Sequence, residues 1–88
     1  MADTALPVLD LLNALLQRGC PQDIQCRYRN WKGEQAMRRI RLLEVRFGTS
    51  QWHPEPGYLV RGLDLDKMAE RDFALADMDL ATLSLVSF

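Results

Sequence analysis

The apolar residues divide the chain into one helical segment followed by short alternating ones. Leu6, Leu9, Leu12, Leu15 and Leu16, with Val8 and Leu11 beside them, recur at helical spacing and predict a helix over residues 4–17. Thr4 can cap its start and Pro7 is tolerated in its first turn. Gly19 suits the position just past its end, and Pro21 bars continuation. The apolar stripe is broad, so the helix is expected to pack on another element.

Residues 23–29 (DIQCRYR) alternate as a half-buried strand does, with Ile24, Cys26 and Tyr28 on one face and Gln25, Arg27 and Arg29 on the other. The turn Asn30-Trp31-Lys32-Gly33 follows, then a longer strand over 35–47 whose apolar phase slips. Ile40 and Leu42 share one face, whereas Leu43, Val45 and Phe47 share the other. Such a slip predicts a bulge or sharp bend, which a small barrel needs in order to close. Residues 48–57, with two Pro and two Gly, read as a loop. Residues 58–65 form a third strand, 66–70 a turn, and 71–75 a fourth strand. Residues 77–88 read as a short helical turn plus a last strand, and the apolar stretch 80–88 either closes the barrel within the chain or stands as an exposed edge for a partner. Leu59, Leu63, Leu65, Phe73 and Leu75 are the expected core of the last hairpin. The fold class is therefore mostly β with an N-terminal helix, a small partly open barrel in one domain over 1–88. Its divisions are the helix at about 4–17, the barrel at about 23–78 and the tail at 79–88.

Composition narrows the function. At 88 residues and 48% apolar, the chain holds one small core. No apolar run reaches the ~18 residues of a membrane span, and no signal peptide is visible, so a cytoplasmic location is expected. Cys20 and Cys26 with the single His53 cannot complete a structural zinc site. Cys26 is expected as a half-buried thiol and Cys20 as a loop thiol. The net charge of −1 hides an asymmetry: residues 18–46 carry +5 and residues 47–88 carry −4. Nine arginines against two lysines favour bidentate recognition of phosphate or carboxylate. The competing reading is a set of cross-strand salt bridges.

The ordered series of residues resembles the WYL domain family. A helix leads to a strand ending in Tyr28, a turn, and a strand with Arg38 and Ile40. A loop, Gly57-Tyr58-Leu59, a charged turn and Arg71-x-Phe73-x-Leu75 complete the series. It spans roughly residues 8–80. Three positions depart from the family pattern: Gly57 stands for Trp, Leu42 for Pro, and Asp77 for a frequent basic residue. No DNA-binding helix-turn-helix is visible. The resemblance implies an Sm-like, SH3-type barrel with a ligand-sensing role in bacterial transcription regulation, and single-stranded nucleic acid or nucleotide ligands. It carries the ligand-binding role to Tyr28, Arg38, Tyr58, Arg71 and Phe73.

The residues themselves offer the same chemistry. Several arginines brought together would form a phosphate-tracking patch, and Trp31, Tyr28, Tyr58 and Trp52 could stack on unpaired bases. For the two tyrosines the alternative is core packing with a hydrogen-bonded hydroxyl, and for Trp31 a lid over the barrel end. Catalysis is not expected: every Ser-His or Cys-His scheme would need His53, no motif recommends it, and no phosphate loop or cofactor motif exists. The rival to ligand binding is a protein partner or homodimer, held through the apolar helix and the tail.

Overall fold

A computed structural model describes residues 5–19, 22–51 and 53–86. Expectations that fall on Thr4, Cys20, Trp52 and the tail end, 87–88, lie outside the described residues. The order is α1 (Ala5–Gln17), β1 (Asp23–Arg29), β2 (Gln35–Ser50), β3 (His53–Asp64), β4 (Ala69–Ala74), a 3-10 turn (Leu75–Asp77) and β5 (Met78–Val86). All strand pairs are antiparallel, in one sheet of order β4-β3-β2-β1-β5. The two end strands, β4 and β5, do not pair with each other. The fold is thus a small, partly open β-barrel of the SH3/Sm-like kind with an N-terminal helix.

Curvature has a local cause. The register between β2 and β3 shifts between Leu42 and Glu44, where the apolar phase slips. The bulge adds twist and bends β2. Ile40 and Leu42 lie inside before it, and Val45 is turned back toward the core after it. Gly62, opposite Leu42, has room for no side chain: a Cβ there would meet Ile40 Cγ2 and approach the Arg41 carbonyl oxygen to 2.9 Å. The sheet curls until β1 meets β4, although they are not neighbours in it. The Ala74 N–H donates to the Tyr28 hydroxyl at 3.0 Å, and the Tyr28 and Phe73 rings meet edge to face at 5.1 Å.

The core joins Leu9, Leu12 and Leu15 of α1 to Ile24, Cys26, Ile40, Leu42, Val60, Phe73, Leu75 and Met78. Three apolar residues at i, i+3 and i+6 bury because the helix lays one face on the barrel, chiefly against β2. Gly19 adopts φ +74 past the helix end, which a residue without Cβ does freely. Among the described residues no helix is long and apolar enough to cross a membrane.

Three boundaries differ from the sequence reading. The loop expected over 48–57 is instead the tip of a long β2–β3 hairpin. Its prolines, Pro54 and Pro56, fall where the register shifts: Gly48 pairs with Gly57 and Ser50 with His53. Residues 54–56 therefore face Thr49 alone, and an irregular stretch tolerates missing N–H donors. The third strand begins five residues earlier than expected, and β4 covers 69–74 rather than 71–75. The tail is a 3-10 turn followed by a strand that pairs within the chain against β1. Leu80 and Leu83 pack on the core while Leu85 stays half exposed. Cys26, expected half-buried, is fully buried. Leu59, Phe73 and Leu75 are buried, but Leu63 and Leu65 are only partly so.

Candidate functional site

A groove of about 600 Å³ opens at one side of the barrel. Each element delivers side chains to it by simple alternation. On β1, Tyr28 shares the inward face with Ile24 and Cys26. On β2, Arg38 shares the inward face with Ile40 and sits opposite Cys26. On β4, Arg71 shares the face of Phe73, which is opposite Val60 in the core. Asn30 and Trp31 come from the β1–β2 turn, Ser50 and His53 from the hairpin tip, and Asp64 from the end of β3.

The β1–β2 turn is held by its own polar groups. The Asn30 side-chain oxygen accepts from the N–H groups of Lys32 at 2.9 Å and Glu34 at 3.0 Å. Gly33 supplies the positive φ of +81 that the turn needs. Trp31 is thereby held at the mouth, 82% exposed, with Lys32 Nζ 5.2 Å from its ring centre. It is an exposed plane, not a lid. The hairpin tip is clasped by Ser50 Oγ and His53 Nδ1 at 3.0 Å.

Four of the residues expected at a site, Tyr28, Arg38, Arg71 and Phe73, line this groove. Tyr58 does not: it lies on β3 opposite Phe47, half exposed, with the two rings edge to face at 5.0 Å. Phe73 is buried and offers the groove little more than a ring edge. Tyr28 is buried too, and its hydroxyl accepts the Ala74 N–H. Burial pushes its phenol above the ordinary value, against the hydrogen bond from Ala74, which lowers it. These two rings form the floor, and the arginines and Trp31 form the walls.

Electrostatically the groove is mixed. Its four arginines, Arg29, Arg38, Arg61 and Arg71, are matched by four carboxylates, Asp64, Glu70, Asp72 and Asp77. Arg29 bridges Asp77 at 3.1 Å, and Arg61 reaches Asp72 at 3.4 Å and Glu70 at 3.8 Å. Arg46 joins Asp72 from behind at 3.4 Å. Outside the groove, Arg41 grips the buried Asp23 with two N–H groups, at 2.9 and 3.3 Å. Much of the basic segment is thus spent on cross-strand pairs, each worth about 0–1 kcal/mol where exposed. Two groove arginines stand apart. Arg38 has only a loose contact, 3.8 Å from Asp64. Arg71 has no carboxylate within 4 Å among the described residues, and it is exposed.

From the sequence, Asp64 and Asp66 beside the charged turn read as solvated acids or at most weak cation ligands, and Ser50 and the other groove acids are missed; Asp64 is instead buried. The phase of β3 could have flagged Asp64: it falls on the same face as Val60, where a carboxylate must find partners inside. Compared with known protein families and with curated proteins, the sequence matches none.

Proposed function

We propose that this chain is a non-enzymatic ligand-binding domain of WYL type that takes a nucleotide, or a short stretch of single-stranded nucleic acid, in the groove between β1 and β4. The observation that carries this reading is Arg71. It is an exposed guanidinium without an ion-pair partner among the described residues, and it lines the same groove as the loosely held Arg38. Two such donors suit one or two phosphates bidentately. Trp31 at the mouth offers a stacking plane to an unpaired base. The four groove carboxylates argue against a long polyanion tracking through and for a compact ligand. Such a ligand brings hydrogen-bond donors, from a sugar or base, along with its negative charge.

The test is fluorescence anisotropy of a labelled short single strand, with a duplex of the same sequence as control. Preference for the single strand and about a seven-fold loss of affinity between 50 and 200 mM salt are expected from two phosphate contacts. Arg71→Ala should weaken binding about ten-fold or more without changing the thermal midpoint. Binding of single strand and duplex alike, or none at low salt, contradicts the reading.

A further inference from the structure

Asp64 is the most buried charge in the groove, 1% exposed, and its two oxygens are used unequally. Oδ1 accepts the N–H groups of Asp66 at 3.1 Å and Lys67 at 3.3 Å, which fixes the β3–β4 turn. Oδ2 has no donor within hydrogen-bond distance among the described residues; Arg38 Nη1 is 3.8 Å away. No buried side-chain oxygen among the described residues lacks a partner, so Oδ2 keeps an opening to the groove, where a ligand can donate to it. Next to it stands a guanidinium with several N–H groups free to donate. The groove therefore presents, side by side, a single acceptor and a pair of donors.

We infer that this pair reads the edge of a base, and that it selects cytosine. The inference rests on the groove being a nucleotide site, as proposed above. Cytosine presents one donor, the N4 amino group, followed by two acceptors, N3 and O2. The amino group donates to Asp64 Oδ2, as carboxylates accept from cytosine N4 elsewhere, and Arg38 donates to N3 and O2. Uracil and thymine put carbonyl O4 against the carboxylate, where two acceptors repel. Guanine needs two adjacent acceptors for its N1 and N2 donors, and Oδ1 is already occupied by the turn. Adenine presents the same amino donor and the acceptor N1, but a C–H where cytosine has O2, so it takes one bond fewer from Arg38. Trp31 stacks on the base and Arg71 takes the phosphate.

The test is a titration of the protein with cytidine, uridine, guanosine and adenosine monophosphates, followed by Trp fluorescence. Cytidine monophosphate should bind at least five-fold more tightly than any of the others. In Asp64→Asn, the amide oxygen can keep the turn while its NH₂ replaces Oδ2 and meets the cytosine amino group donor to donor, so the preference for cytosine should be lost; uracil does not take its place, because its N3–H faces the donors of Arg38. The thermal midpoint of this variant, measured alongside, shows that the turn has held; if it has not, Arg38→Gln should by itself weaken cytidine monophosphate about five-fold, while the carboxylate still disfavours uridine monophosphate. Equal affinity for the four nucleotides, or for cytidine and adenosine monophosphates, overturns the cytosine assignment while leaving the groove a nucleotide site. Failure of all four to bind overturns both.

Discussion

Gly62 is where β2 and β3 approach most closely, and its hydrogen takes the space a methyl group would need beside Ile40 and the Arg41 carbonyl. Gly62→Ala is expected to cost about 1–3 kcal/mol, seen as a lower midpoint in urea, because backbone cannot give way as a flexible side chain does. Tyr28→Phe removes the acceptor of the Ala74 N–H and should cost about 1–2 kcal/mol. Cys26 gives a pH signature. Burial, reinforced by Asp79, pushes its thiol from 9.0 up to about 11. The folded state holds this proton more tightly than the unfolded chain does, so the contribution is complete below pH 9 and is lost as pH rises toward 11. The loss amounts to at most about 2.7 kcal/mol. Denaturation curves between these pH values should be steeper in pH for the parent than for Cys26→Ala, and the buried thiol should resist alkylation until the protein unfolds.

At the scale of elements, the β1–β2 turn decides where Trp31 stands. Gly33→Ala forces a side chain into φ +81 and should cost about 1 kcal/mol, measured by thermal melting. The strands themselves were legible wherever one face meets water, since β1 alternates over its whole length. The bend in β2 was legible too, because Leu42 and Val45 break a two-residue period. The hairpin tip was not: Pro54, Pro56 and the flanking glycines carry a loop composition, and only the partner strand reveals that three residues are set against one. Nor could local pattern say which arginines would be spent. Arg41 and Arg61 are engaged by Asp23, Glu70 and Asp72, residues nine or more positions away that pairing alone brings near. Tyr58 illustrates the same limit. Its place in the hairpin was readable, but the curl of the sheet leaves it against Phe47 and away from the groove.

For the whole molecule, the account turns on the sheet closing only in part. The contact of Tyr28 with Ala74 and Phe73 brings the far strands together and leaves a groove beside the join. The measurement that tests this most directly is a residue-resolved map of binding: amide, arginine and indole NMR signals of the intact chain, titrated with a short single strand. The account predicts the largest shifts at Trp31, Arg38, Asp64 and Arg71, with Phe47 and Tyr58 unmoved. Shifts centred on Phe47 and Tyr58, or on the outer edge of β5, would contradict it.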